Sequence, residues 1–191
     1  MGLDLKGLIG GAANAYAANG IAAAAADRLQ PLAGADPSSD LAPTTDVPDL
    51  GVALMTMNPG PLQRAIECSA DYLPWKSGAF EKPGTGRYSF VEIAGPEGAV
   101  RTDALRFGLY FQAPKALYPS HSHAAEEFYL TLSGASWWQK DDGPFEAVSP
   151  GGLIHHLPFK RHTMRTAGDA LLALWLWTGD LGYESYKFHD A

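Results

Sequence analysis

Five of the six histidines in this 191-residue chain lie between positions 121 and 162, where metal chemistry is therefore most plausible. His121 and His123 are two residues apart, so on a β-strand their side chains project from one face. Glu127 and Tyr129 keep the same parity once the chain turns into the next strand. These four polar side chains are expected to converge, and imidazole with carboxylate suits one divalent transition metal: zinc, iron, manganese, nickel or cobalt.

The rest of the composition limits the kinds of binding partner and cellular compartment that we expect for this protein. The single cysteine, Cys68, has no disulfide partner and no CxxC spacing, so a metal must rest on imidazole and carboxylate, and a reducing, cytoplasmic compartment is expected. A net charge of -7 without any Lys/Arg run argues against nucleic acid and anionic membranes. The apolar stretches are shorter than the roughly 20 residues that span a bilayer. A small ligand is the expected partner, and monomer and homodimer both stay open.

The elements that must position these residues begin with helices. Residues 3–32 are rich in Ala and Leu, with Gly20 as a break between two short helices and Pro31 after the second. Residues 33–48 mix Pro, Ser, Asp and Thr as a linker does. Pro61 opens a further helix. We predict a helical N-terminal extension and linker over residues 1–80, packing on the domain that follows.

From Arg87 onwards the pattern changes to short β-branched and aromatic runs separated by Gly, Pro and Asp. The turns GPEG at 95–98 and KDDG at 140–143 suit hairpins. We predict a mainly β domain over residues 81–191, a sandwich or barrel. The predicted strands are RYSFVEIAG, ALRFGLYFQ, EEFYLTL, SWWQK, FEAVS, HTMRT and ALLALWLWTG.

The spacing of the site residues resembles the cupin superfamily. His121, His123, Glu127 and Gly134 match the first cupin motif, although its leading Gly lies too far upstream, at Gly108. The second, looser motif is matched by Gly152, Pro158 and His162, followed by a strand pair. This resemblance implies a cupin-type β-barrel, also called a double-stranded β-helix or jelly roll, with His162 as the fourth metal ligand.

His155 competes for that fourth place, because PGGLIH also has a Pro-x-Gly-x-x-His spacing. His162 is preferred because a short strand, an AGD turn and a long strand follow it, as in a final barrel hairpin. With His155 as the ligand, Pro158 would interrupt the strand. His155 and His156 are then expected beside the ligands or at the surface.

The stretch from Tyr118 to Trp177 resembles the cupin-type dimethylsulfoniopropionate (DMSP) lyases, which split a small zwitterionic sulfonium compound into dimethyl sulfide and acrylate. The resemblance rests on YPSHSHAAEEFYLTLSG, PFKRHTMRT and LWLWTGD. It implies a metal-dependent carbon–sulfur lyase in which Tyr129 is the base and Tyr118 lies beside the substrate. The metal ligands it implies are His121, His123, Glu127 and His162.

The chemistry of elimination agrees with these roles. The proton removed lies next to a carboxylate, so negative charge that builds on the carboxylate oxygens must be stabilised, as a cation can do. We expect the metal charge beside Glu127 to lower the pKa of Tyr129 from about 10. Tyr129 could instead be a packed core aromatic or a direct metal ligand.

The sulfonium group carries positive charge, which aromatic faces attract. Trp175 and Trp177 share one strand face, opposite Leu174 and Leu176. We expect one or both tryptophans to bind substrate beside the two tyrosines, or else to fill the barrel core.

Three other functions stay open: a dioxygenase, a sugar-phosphate isomerase and a non-catalytic sensor. Cupins with three His and one Glu also serve dioxygenases and sugar-phosphate isomerases. Near the motifs only Lys160 and Arg161 offer a phosphate a positive charge, which disfavours the isomerases. A non-catalytic, ligand-sensing barrel is the third possibility, because a fold does not fix a function.

Overall fold

A computed structural model describes residues 2–38, 41, 47–79 and 86–189. Its α-helices all lie in the first part of the chain, and none of those described is long and apolar enough to span a membrane. The helices are α1 (Leu5–Ala17), α2 (Ala23–Leu29), α3 (Leu50–Met55) and α4 (Pro61–Ser69), with 3₁₀ turns at Gly20–Ala22, Gln30–Gly34 and Ala70–Tyr72.

The helices agree largely with the sequence prediction. Gly20 separates α1 from α2, and Pro61 is the first residue of α4, where its missing N–H leaves no bond unmade. Pro31 differs from expectation, because it lies inside a 3₁₀ turn rather than after the helix. Helix α3 was not predicted. Part of the predicted linker, residues 39, 40 and 42–46, lies outside the described residues.

The remainder of the described chain is built from β-strands. They are β1 (Lys76–Ala79), β2 (Arg87–Gly95), β3 (Val100–Arg101), β4 (Arg106–Gln112), β5 (Leu117–Ser122), β6 (Ala125–Ser133), β7 (Ser136–Lys140), β8 (Glu146–Val148), β9 (Leu153–His156), β10 (His162–Thr166), β11 (Leu171–Gly179) and β12 (Lys187–Phe188).

These strands form two sheets. The wide sheet has the order β1-β2-β4-β11-β6-β9, with β3 beside β2, and the narrow sheet has the order β12-β5-β10-β7-β8. All pairs are antiparallel except β2 with β3. From β4 onwards, consecutive strands alternate between the two sheets, except that β7 and β8 both lie in the narrow sheet. A barrel with a jelly-roll character results, as predicted.

The strand predictions succeed where aromatic and β-branched residues are dense. Strands β2, β7 and β10 begin and end where the sequence predicted. Strand β5 was not delimited, because its sequence LYPSHS has low β-propensity and is held by β10 and β12 instead. The KDDG hairpin is confirmed between β7 and β8, with Asp141 at φ 49°. The prediction of a hairpin at GPEG is wrong, because β3, which follows this turn, pairs with β2 in parallel and not antiparallel.

Strand β11 shows how the sequence divides the interior into two layers. Leu172, Leu174 and Leu176 belong to the core shared with the helices, whereas Trp175 and Trp177 face the barrel interior. The predicted opposition of leucines and tryptophans is therefore confirmed. Apolar side chains on the outer face of the wide sheet pack against the helices. The inner face is thereby left for the predicted metal site.

The helical extension packs against the outer face of the wide sheet. Leu8 and Tyr16 of α1 lie in the same core as Leu174, and the Tyr16 hydroxyl donates to the Phe128 carbonyl of β6 at 3.3 Å. The domain boundary at residue 80 stays a prediction. The first strand, Lys76–Ala79, lies just before it.

Replacing Tyr16 by alanine should lower the free energy of unfolding by about 3–5 kcal/mol, because a fully buried ring is removed and leaves a cavity. Denaturant unfolding should show one transition, since the helices and the sheet share a core. Val52→Ala, at a side chain 57% exposed on α3, is the control and should change little. Separate transitions for helices and barrel would contradict a shared core.

Candidate metal centre

The predicted ligands come together inside the barrel from three places. His121 lies at the end of β5, His123 in the turn that follows and Glu127 on β6, while His162 begins β10 directly beside His121. All four side chains are almost completely buried. Gly134, the last residue of the motif, ends β6 at φ 76°, where a side chain would collide with the Ala170 carbonyl.

The distances fit a metal site. The Glu127 Oε2 atom lies 3.3 Å from His123 Nε2 and 3.1 Å from His162 Nε2. One nitrogen each of His121, His123 and His162 lies within 4.8 Å of the others. Adjacent ligands with bonds of about 2.0–2.1 Å to one metal lie roughly 2.9–3.4 Å apart. The cluster is thus close to the spacing that a single ion imposes.

The backbone fixes which nitrogen each ligand presents. A carbonyl oxygen can only accept, so each Nδ1 in such a contact carries the proton and Nε2 keeps its lone pair. The Nε2 lone pairs are therefore left for the interior. These contacts join His121 to Pro119 (2.8 Å), His123 to Ala125 (3.1 Å) and His162 to Lys160 (2.8 Å).

The charges of the cluster are those of a metal site. Burial raises the pKa of Glu127, but the neighbouring His123 and His162 outweigh this effect and hold that pKa well below its usual range. Burial, and then the charge of His162, lowers the pKa of His121 well below its usual range. A carboxylate with neutral imidazole is the protonation state that divalent metals bind.

Trp177 contacts the cluster directly. Its indole N–H donates to Glu127 Oε1 at 2.6 Å, and its ring lies 4.3 Å from that of His123. The sequence predicted a substrate-binding ring, and the structure adds a hydrogen bond that orients the Glu127 carboxylate. Trp175 has no such contact, because its N–H donates to the Leu109 carbonyl at 3.2 Å.

The other two histidines near the predicted ligands, His155 and His156, lie in different surroundings. His155 points away, to Glu126 at 2.8 Å, with its ring stacked on Phe128, as a surface group should. His156 is not at the surface: it is fully buried and stacks on His162 at 3.9 Å. Burial, and then His162, lowers the pKa of His156 to about 2. Of the two positions expected for His156, beside the ligands or at the surface, the structure has the first, because β9 pairs with β6.

A cavity of about 390 Å³ opens onto the cluster and is walled almost entirely by aromatic rings. All the tyrosines and tryptophans predicted to contact substrate lie in its wall. The parity of β2 and β4 could have revealed three more rings there, those of Tyr88, Phe90 and Tyr110. The full lining is Tyr88, Phe90, Tyr110, Tyr118, His121, Glu127, Tyr129, Trp175, Trp177, Tyr183, Tyr186 and Phe188.

The two predicted catalytic tyrosines lie on opposite sheets. Tyr118 stacks on His121 at 4.2 Å and shares a hydrogen bond with the Tyr186 hydroxyl. Tyr129 packs against Trp138 at 4.9 Å. Burial, and then the Glu127 charge, raises the pKa of Tyr129 well above 10. Glu127 therefore works against the phenolate, whereas a nearby positive charge would lower this pKa.

The segment after β11, which the sequence analysis did not consider, completes the cavity. Its rings are held in place by polar contacts: Arg106 donates to the Leu181 carbonyl at 2.9 Å and lies over the Tyr183 ring at 4.4 Å. The same guanidinium forms a buried ion pair with Glu92 at 2.5 Å. Strand β12 then pairs with β5 beside His121. No local sequence pattern signals this return of the chain.

Several known proteins are similar to this chain. A relative from Cereibacter sphaeroides, named putative dimethylsulfoniopropionate lyase DddL, is 35% identical over 123 residues, which cover 62% of this chain and 51% of that protein. The chain spans about half the length of the curated relatives it matches. A solved structure described under the DMSP lyases RdDddP and RnDddQII superposes with a TM-score of 0.75 over 98% of both chains, at 23% identity.

The cupin fold is confirmed by these likenesses and by a cupin barrel domain protein from Rhodopseudomonas palustris. That structure is 14% identical, with a TM-score of 0.51 over 63% of this chain and 80% of its own. Residues 22–173 match the family described as dimethylsulfoniopropionate lyase. Since this match extends over most of the sequence, the chain belongs to the dimethylsulfoniopropionate lyase family.

Proposed function

We propose that this protein cleaves DMSP to dimethyl sulfide and acrylate by a metal-dependent β-elimination. The observation that carries the proposal is a cavity of aromatic rings that ends on the His/Glu cluster, in a chain of this family. A base removes the proton on the carbon next to the carboxylate, a carbon–carbon double bond forms, and the carbon–sulfur bond breaks with its electrons leaving on sulfur. No oxidant is needed.

The cavity wall suits the positive end of this substrate. Aromatic faces attract a sulfonium group by about 0.5–2 kcal/mol each, and rings surround the cavity on both sheets. Among the described residues of the wall there is no Lys or Arg. The carboxylate of a zwitterion therefore finds no side-chain cation there, and it is directed to the cluster at the end of the cavity.

His121, His123, Glu127 and His162 would hold the metal, as the converging Nε2 lone pairs and the buried carboxylate favour. The bound cation would stabilise the negative charge that develops on the substrate carboxylate. Trp177 holds the Glu127 carboxylate in orientation through its N–H. The choice among zinc, iron, manganese, nickel and cobalt is not fixed by this donor set.

Tyr129 is proposed as the base, with its phenolic oxygen receiving the proton, and Tyr118 as a neighbour of the bound substrate. Both rings line the cavity beside the cluster. Tyr110 meets the Tyr129 ring edge-on at 6.0 Å and fixes its orientation. The rings after β11 keep water from this end of the cavity, which strengthens the electrostatic interactions inside.

The same cavity disfavours a sugar-phosphate isomerase, since a phosphate would meet aromatic rings and a carboxylate in the described wall. Headspace analysis for dimethyl sulfide after DMSP is added to metal-loaded protein tests the proposal. Turnover without oxygen would exclude a dioxygenase. Binding of DMSP without cleavage would instead indicate a sensor.

Metal content should depend on the four ligands as a unit. His123→Ala or Glu127→Ala should remove most bound metal, because each deletes a buried donor. Elemental analysis of purified variants measures this. The control is His155→Ala, which should keep its metal because that ring contacts Glu126 outside the cluster. Metal loss in the control would mean that the second motif is misaligned.

Tyr129→Phe should lower the turnover of DMSP by about 100-fold to 10,000-fold while metal content and fold are retained, since only the hydroxyl is removed. Dimethyl sulfide production measures it. Tyr16→Phe is the matched control, a buried hydroxyl on the outer side of the wide sheet, and should remain active. A Tyr129→Phe protein with more than a tenth of normal activity would remove Tyr129 from the role of base.

Trp177→Phe should weaken metal binding by about 10-fold to 100-fold, because it keeps an aromatic ring but deletes the N–H that orients Glu127. Competition with a chelator gives the dissociation constants. Trp175→Phe should leave metal affinity unchanged, since its N–H bonds the backbone of β4. Equal metal affinity in the two variants would make Trp177 a wall residue only.

A further inference from the structure

His156 is a buried polar side chain that the proposed mechanism does not use. It ends β9 and lies opposite Glu127 of β6, on the side away from Trp177 of β11, so the carboxylate has the indole on one flank and the imidazole on the other. Its side chain is fully buried. It is not among the residues that line the aromatic cavity, so the cluster lies between His156 and a substrate bound there.

Both ring nitrogens of His156 lack a hydrogen-bond partner within the described part of the chain. Burying an imidazole in this way is unfavourable, because its donor and acceptor give up water without compensation. His162 Nε2 is likewise without a hydrogen bond to any described group, although Glu127 Oε2 is 3.1 Å away. Two neighbouring imidazoles thus present unused nitrogens beside one buried carboxylate.

The three side chains are close enough for one metal ion to contact all of them. One donor atom each from Glu127, His156 and His162 lies within 4.8 Å of the others. The rings of His156 and His162 are stacked with an angle of 12° between their planes. This second group shares His162 with the group that His121 and His123 complete on the other side.

We propose that His156 is an additional ligand of the metal ion, which it would bind together with His121, His123, Glu127 and His162. The inference rests on the proposed metal centre and deepens it. Five protein donors then surround the centre. Zinc in proteins is almost always four-coordinate, so a five-donor set favours iron, manganese, nickel or cobalt, which accept five or six ligands.

Ring stacking alone is the competing explanation, and His156→Phe separates the two. Phenylalanine keeps a flat ring against His162 but has no donor atom. His155→Phe, one residue away and outside the cluster, is the matched control. Thermal unfolding of the metal-free proteins checks folding, and metal-free His156→Phe should be at least as stable as the unsubstituted protein, because two buried unpaired nitrogens are removed.

X-ray absorption of the cobalt(II)-loaded protein should count four imidazole ligands in the unsubstituted chain and in His155→Phe, and three in His156→Phe. The visible cobalt bands should be weak in the first two, as for five or six ligands, and intense in His156→Phe, as for four. Cobalt affinity should fall by at least about 10-fold in His156→Phe.

Three imidazoles in the unsubstituted protein would overturn the proposal, whatever the variant does. Unchanged cobalt bands and affinity in His156→Phe would overturn it equally and leave stacking as the role of the ring. If His156→Phe does not fold, the ligand count of the unsubstituted protein still decides. No DMSP enters these measurements, so a failure to cleave DMSP would be seen separately.

Discussion

A carboxylate buried in the middle of a barrel is the constraint around which the structure is organised. Glu127 is only 2% exposed, and an unpaired charge at such a depth would strongly destabilise the fold. Its partners come from neighbouring strands: an indole N–H from β11 and imidazoles from the β5–β6 turn and from β10. The cation proposed for this cluster would balance the remaining negative charge.

The two faces of the wide sheet pack against different parts of the protein, and this leaves the inner face available for polar groups. Leucines and phenylalanines on the outer face pack against α1 and the other helices in one continuous core. The inner face carries tyrosines and tryptophans, with Glu127 among them on β6. The helical extension thus contributes to the site without contacting the cavity.

Much of this arrangement could be predicted from local sequence. The period-two alternation of β11 placed Trp175 and Trp177 together, and the spacing of His121, His123 and Glu127 indicated convergence, because strand parity is a local property. Three features could not be predicted: the orientation of Trp177 towards Glu127, the choice between the two positions expected for His156, and the return of residues 181–188. Each depends on which strands become neighbours, and strand pairing joins residues far apart in sequence.

The position of β11 in the wide sheet has a consequence for how the protein matures. Strand β11 lies between β4 and β6 in the wide sheet, yet residues 171–179 are synthesised after both of these strands. Pairings between distant segments form slowly. During synthesis, the ligands of β5 and β6 leave the ribosome before the strand that supplies the indole to Glu127. The polar contacts around Glu127 are therefore complete only once β11 has joined the sheet, so the arrangement of the predicted ligands belongs to the finished fold rather than to the nascent chain.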